Sequence, residues 1–279
     1  MSDDAILRNT AATLTQKFYS GETLTNASGN VLVQVVGDCG GTIVASGTAT
    51  NAGTGIYTYD VTPQTDLDLL TATWTGTFGG ESQSLRSRVE VQGAYHVSIA
   101  DIRAISTLAN TSTYPTARLV EVRRWWELIS EAYCGVAFVP RWGHVTFDGD
   151  DTNWAMLPNL RPRSVTSATV GGTAVADLTE WYVYDTGKVV RDDGSNFPSG
   201  VGGAGRVDIC YEHGYDAPPA DVWEAALIAI EERALGAKTG VPARAEQLTT
   251  ELGTIQLGTL PPLVVRTLNE HIERAVYVG

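Results

Sequence analysis

Across "TATWTGTF", Thr71 to Phe78, apolar and polar residues alternate: Ala72, Trp74 and Phe78 share one side, Thr71, Thr73, Thr75 and Thr77 the other. A period of two is that of a strand with one face on a core and one in water. "NVLVQVV", "GTIVASGTAT" and "GIYTYDVT" are further strand candidates, and the turn signals "GDCGG", "NAGTG" and "FGGES" separate them. No stretch before Gln92 keeps a helical period for long, so the first roughly 90 residues predict an antiparallel β-sandwich.

The period changes at "HVSIADIRAIST". Ser98 followed by Asp101 is a capping box, and Val97 can staple onto Ile102, so a helix is expected from Ile99 and a domain boundary near Gly93 to His96. A second helix is expected in "YPTARLVEVRRWWELISEAYCG": Pro115 lies near its start, Leu119, Val122, Trp126, Ile129 and Tyr133 form its stripe, and Gly135 stops it. Between Val139 and Glu212 the pattern returns to short strands, "RSVTSATV", "EWYVYD", "KVVR" and "RVDICYE", with turns at Gly171-Gly172 and Thr186-Gly187. A third helix is expected from Ala220 to Leu235, closed by Gly236. The remainder, 237–279, is broken by Gly and Pro until a terminal helix, "PLVVRTLNEHIERAV", with Val264, Leu268, Ile272 and Ala275 on one stripe. That stripe needs a partner, either this subunit's own body or another chain.

The pattern therefore implies an α+β chain in three parts. An all-β sandwich covers 1–95, a helical body with an inserted small antiparallel sheet covers 96–236, and a C-terminal helical arm covers 237–279.

Charge and cysteine content narrow the functions. A formal net charge of -13 disfavours adhesion to nucleic acid, where Lys and Arg displace counterions from phosphates, but it suits a surface that lets DNA pass. Cys39, Cys134 and Cys210 make neither a C-x-x-C pair nor an even framework, so they read as ordinary thiols in a reducing compartment. The acidic start "MSDDAILRNT" does not resemble a secretory leader, and no window of about 18 apolar residues suggests a membrane span. Synthesis in cytoplasm, with no membrane insertion, is the expectation.

Candidate chemistry is sparse. On a strand, Cys210 and His213 point to opposite faces, so "RVDICYEHGYDAPPAD" reads as the joint where a strand hands over to a helix, not a Cys-His dyad. Gly200, Gly202 and Gly205 match G-x-G-x-x-G, but a strand follows them where dinucleotide binding needs a helix N-terminus. His96, His144, His213 and His271 lack metal-site spacing, and the cluster Asp148, Asp150 and Asp151 lacks the distal Glu of a calcium loop. No catalytic residue, cofactor site or metal site is assigned. Arg123 and Arg124 are expected to point away from the apolar stripe that Trp126 joins. Trp and Arg anchor protein interfaces, so Arg124, Trp125 and Trp223 are candidate subunit contacts, together with the stripe Val264, Leu268 and Ile272.

Leu157-Pro158 with Arg161-Pro162, then Ser164 to Gly172, Trp181 to Asp185, Val207 to Tyr215, Pro218-Pro219 and Ala225 to Ile230 form an ordered set. In that order, over roughly Val97 to Leu235, the chain resembles the head–tail connector (adaptor) proteins of tailed bacteriophages. "SGTATNAGTGIYTYDVT" is similar to Ig-like accessory modules. The resemblance implies a non-enzymatic structural subunit of the virion neck, made in the host bacterial cytoplasm. Such subunits form a homo-oligomeric ring, commonly twelvefold, beneath the portal protein. Terminal arms grip the portal or a neighbour, neck or tail-completion proteins bind below, and genome DNA passes through the lumen without sequence-specific contact. The alternative is a carbohydrate- or cell-surface-binding virion protein that acts through the sandwich, suggested by Trp74, Tyr57 and Tyr59, although Trp74 is expected to be buried.

Overall fold

The computed structural model describes residues 5–200, 205–239, 247–250, 253–256 and 260–273 and shows an α+β protein. Its N-terminal part contains β1 (Ile6–Leu7), β2 (Ala12–Lys17), β3 (Tyr19–Ser20), β4 (Thr23–Leu24), β5 (Leu32–Gly37), β6 (Ile43–Thr48), β7 (Thr50–Gly53), β8 (Ile56–Val61), β9 (Asp68–Phe78) and β10 (Glu81–Gln92). One sheet runs β1-β10-β9-β5-β6, a second runs β2-β8-β7, and β3 pairs with β4. Only the β1–β10 pairing among these is parallel. Alternation dictates the packing: Val33, Val35, Ala72 and Trp74 of the first sheet meet Leu14, Tyr57 and Val61 of the second in one core. Phe18 stacks on Phe78 at 4.0 Å between ring centroids. The hairpin between β9 and β10 closes through Gly79 and Gly80 at φ 60° and 87°, left-handed values that explain two consecutive glycines.

The second part begins with α1 (Ile99–Ala104), whose capping box pairs Ser98 and Asp101 as expected, with Val97 and Ile102 buried together. Helix α2 (Thr116–Cys134) starts after Pro115 and ends at Gly135, which has φ 73°. A Cβ at Gly135 would lie 2.7 Å from the Glu273 carbonyl oxygen, so the position requires glycine twice over. Next come β11 (Arg141–Asp148), β12 (Trp154–Met156), β13 (Pro162–Val170), β14 (Thr173–Ala174), β15 (Trp181–Val183), β16 (Lys188–Arg191) and β17 (Arg206–His213). They form sheets ordered β11-β17-β13-β14 and β12-β16-β15. Strand β17 is internal; its Val207, Ile209 and Tyr211 pack with Leu157, Trp181, Val189 and Phe197.

Helix α3 (Ala220–Thr239) packs on α2 around a core that includes Leu119, Val122, Trp126, Val222, Ala226 and Ile230. It runs through Gly236 and does not close there. A glycine inside a helix costs only about 1 kcal/mol, which the buried stripe of α3 outweighs. A hairpin of β18 (Gln247–Thr250) and β19 (Gly253–Gln256) precedes α4 (Pro262–Glu270).

Of the two partners open to the terminal stripe, α4 takes its own body, which corrects Val264 and Leu268 as expected subunit contacts. Val264 and Leu268 are 0% exposed within the core built by α2 and α3, because the stripe finds its apolar partner in its own chain. Beyond the helix, the Glu273 N–H donates to the Cys134 carbonyl (2.8 Å), its carboxylate pairs with Arg161 (2.7 Å) and accepts from the Tyr215 hydroxyl (2.8 Å), and His271 bonds Asp221 (2.7 Å). Ala275, the expected next member of the stripe, lies outside the described residues, as does Gly202 of the glycine-rich stretch.

If α4 belongs to the core, Leu268→Ala leaves a cavity and lowers unfolding stability by about 2–5 kcal/mol in a denaturant titration. A freely projecting helix would leave the midpoint unchanged.

Candidate functional site

Among the described residues, a dense polar cluster lies on the seam where the sandwich meets the helical body. Arg141, the first residue of β11, projects its guanidinium between the two parts. From the sandwich, Glu90 approaches at 3.3 Å and Gln92 accepts a hydrogen bond. From α2, one turn apart, Glu131 approaches at 3.2 Å and Glu127 at 3.7 Å. His96, in the linker, reaches Glu131 through Nε2 at 2.8 Å, and its backbone N–H donates to Glu127 at 3.1 Å. Burial pushes the Glu90 and Glu127 carboxyls above their usual range despite the nearby cations. Burial acts in the same sense on Glu131, but the bond from His96 and the charge of Arg141 outweigh it and hold that carboxyl low. Burial also works against a charged Arg141, and its three carboxylates overcome that cost.

A second cluster sits on the same seam. In the β11–β17 ladder, His144 stands directly opposite Cys210. Its Nδ1 lies 2.6 Å from Asp38 of the sandwich and its Nε2 lies 2.6 Å from Asp208 of β17. Burial depresses the His144 pKa, but the two carboxylates prevail and raise it. Asp68 holds the loop that carries Asp38 and Cys39 by accepting both of their backbone N–H groups at 3.1 Å. A Cβ at Gly37 would overlap the Asp68 carboxylate, which explains the glycine there.

Cys39 and Cys210 are joined as a disulfide, 171 residues apart in sequence. This corrects the expectation of three ordinary thiols: only Cys134 is free, and burial pushes its pKa to about 12. Distant cysteines become neighbours because β5 and β9 hold the Cys39 loop against the body sheet at its internal strand β17. Sequence spacing carries no sign of that. A cleft of about 660 Å³ opens beside the cluster, lined among others by Asp38, His144, Arg206, Asp208 and Cys210.

The interface candidates do not form one surface. Val264 and Leu268 are core residues and unavailable to a partner chain. Ile272 is 36% exposed. Arg124 is half-buried. Trp125 and Trp223 are also half-buried, packed on the helical core, with the Arg233 guanidinium 4.8 Å from the Trp125 ring. Arg123, expected to point outward, is instead buried and lies 3.4 Å over the Tyr95 ring, because the linker covers that side of α2. The aromatics behind the surface-binding alternative belong to the sandwich core: Trp74 and Tyr57 are buried, and Tyr59 packs beside them. The acidic turn is internally satisfied, Asp150 by Thr152 and Asp151 by Ser199.

Sequence reasoning missed both seam clusters. In sequence the histidine near Cys210 is His213, whereas its partner across the ladder is His144. Reading "RWGHVTF" as a strand paired with "RVDICYE" would have exposed that register. Among the described residues no helix is long and apolar enough to cross a membrane. No protein-family model matches the chain, and no curated protein matches it in sequence.

Two outcomes follow from this geometry. Arg141→Ala takes the shared cation from the buried Glu127 and from the part-buried Glu90 and Glu131, and costs about 3 kcal/mol of stability by chemical unfolding. His213 is held neutral: its Nε2 lies 3.2 Å from the Trp142 carbonyl, its buried Nδ1 has no partner, and burial lowers its pKa to about 4. The unfolded chain therefore binds the extra proton first. The His213 contribution is complete above pH about 6.5 and is lost as pH falls towards 4, about 3 kcal/mol in all. Unfolding curves of wild type and His213→Gln, compared across that window, differ by this amount if the assignment is right.

Proposed function

We propose that the chain is a structural subunit of the ring that joins head to tail in tailed bacteriophages, carrying an Ig-like module at its N-terminal side. What carries the reading is the order of elements from 96 to 239. A capped short helix, an aromatic-rich long helix, a strand ending in a Gly-Gly turn and an aromatic strand are followed by β17, which ends at His213 just before Gly214-Tyr215. Pro218-Pro219 then leads into the Ala/Leu-rich α3. That is the order in which the resemblance to connector proteins runs, and here the helices share a single core.

In this reading the subunit works by shape and attachment. It stands under the portal protein, meets neck or tail-completion proteins on the other side, and lets genome DNA pass a wall whose net charge of -13 offers phosphates little to hold. The ring contact shifts from the terminal helix to the outer faces of α2 and α3. There Leu128 is 61% and Ile228 38% exposed, with Arg124 near the first and Glu224 and Glu232 near the second. Two different faces meeting head to tail make a heterologous interface, the kind that closes into a ring.

The test mixes the purified chain with the portal protein of its own phage and images the product in projection. Closed rings seated on the portal are expected, and Leu128→Asp is expected to leave a folded, unassembled chain. A wild-type chain that stays monomeric beside the portal overturns the proposal.

A further inference from the structure

The seam cluster around His144 holds more ligand chemistry than a disulfide needs. One ligand atom each from His144, Asp208 and Cys210 lies within 4.8 Å of the other two, and Cys39 is bonded to Cys210, so its sulfur shares the same small volume. We propose that, when the Cys39–Cys210 bond is reduced, Cys39, Cys210, His144 and Asp208 form a tetrahedral site for a divalent cation of the zinc class. Two thiolates, an imidazole and one carboxylate make a donor set suited to that class and poorly suited to calcium or magnesium, which take oxygen ligands.

The surroundings fit such a site. Asp38 at His144 Nδ1 fixes the ring and its tautomer, leaving Nε2 facing Asp208, which is the carboxylate–histidine–metal arrangement. Thr146 donates to Asp208 Oδ2 (3.2 Å) and Arg206 lies 3.5 Å from the same oxygen, so Oδ1 is the one presented to the site. The Trp142 indole N–H reaches the Cys39 sulfur at 3.0 Å, a donor that would stabilise a thiolate there. Metal–ligand lengths of about 2.0 Å to nitrogen or oxygen and 2.3 Å to sulfur ask for about 3.3 Å between Nε2 and Oδ1, and about 3.8 Å between the sulfurs. The present 2.6 Å between Nε2 and Oδ1, the Cα separation of 6.0 Å between the cysteines and the 4.8 Å limit that holds the His144, Asp208 and Cys210 ligand atoms together set the donors close to these distances. The 660 Å³ cleft gives the ion a path.

The chemistry balances with a dithiol reductant of the cytoplasmic kind. Its two thiols supply two electrons and two protons, the Cys39–Cys210 bond breaks into two thiols, and the reductant leaves as its own disulfide. The cation then displaces to solvent the two thiol protons and the proton that His144 Nε2 shares with Asp208, as the bonds from metal to sulfur, nitrogen and oxygen form. Ligands come from both structural parts, so the cation clamps the same seam that the disulfide clamps under oxidising conditions. This inference concerns the chain alone and does not rest on the connector reading.

The test uses the full chain, reduced with a phosphine and desalted without oxygen, then titrated with Co²⁺ and separately with Zn²⁺. Expected are a thiolate-to-cobalt charge-transfer band saturating at one ion per chain, one zinc retained through gel filtration, and no band in the oxidised chain. Cys210→Ser and His144→Ala should each weaken binding about tenfold or more, as should Asp38→Asn through ring orientation, whereas Cys134→Ser should bind as wild type. A reduced chain that keeps its circular dichroism yet shows neither band nor retained zinc overturns the proposal, as does undiminished binding by Cys39→Ser/Cys210→Ser. Should reduction unfold the isolated chain, metal analysis of chain purified without oxygen from zinc-supplied cells decides instead: one zinc per chain supports the site, and none overturns it.

Discussion

A single buried guanidinium sets the relation between the two halves of this molecule. Arg141 cannot return to water without taking the guanidinium away from Glu90, Glu127 and Glu131, of which only the last two keep a bond from His96, so its position is dictated by the end of β10 and by two turns of α2 together. The backbone nearby answers to the same constraint. The Gly93 N–H donates to the Pro140 carbonyl at 2.9 Å, and a Cβ at Gly93 would come within 2.6 Å of the Pro140 ring. Only glycine allows the linker and the start of β11 to pass so closely. With Arg141 fixed, the register of β11 on β17 is fixed, and that register puts His144 beside Asp208 and opposite Cys210.

How much of this the sequence displays depends on what each element packs against. Strands β5, β8 and β9 bury alternate apolar side chains, so their period is visible in "LVQVV", "IYTYDV" and "TATWTGTF". Helix α1 shows itself through Ser98 and Asp101, a purely local signal. Strand β10 is mostly polar until Val89 and Val91, and β11 turns Arg141 and His144 towards carboxylates, so neither carries an apolar alternation to read. The seam is invisible for a related reason. Its members come from residues 38–39, 68, 90–96, 127–144 and 208–213, and only the finished ladders bring them together. The stripe of α4 is plain in the sequence, but an apolar stripe does not say which surface will cover it.

Burial of that stripe changes the character of the proposed subunit. An open arm would make assembly depend on a segment that orders only on contact, with the entropy loss that entails. With α4 packed against α2 and α3, and Glu273 held by Arg161 and Tyr215, the described body is preformed. Association of preformed bodies loses less conformational freedom, so modest contacts around Leu128 and Ile228 can suffice when each is repeated around a closed ring.

The covalent link between Cys39 and Cys210 spans 171 residues of chain, including the whole linker, α1, α2 and most of the body sheet. Everything between those two positions lies inside a closed covalent circuit. A protease that cut the exposed turn at Asp150–Asp151, or the stretch around Asp192–Asp193, would sever the backbone and still leave one molecule. Its two pieces would stay tethered through sulfur, and they would separate only where the surroundings are reducing.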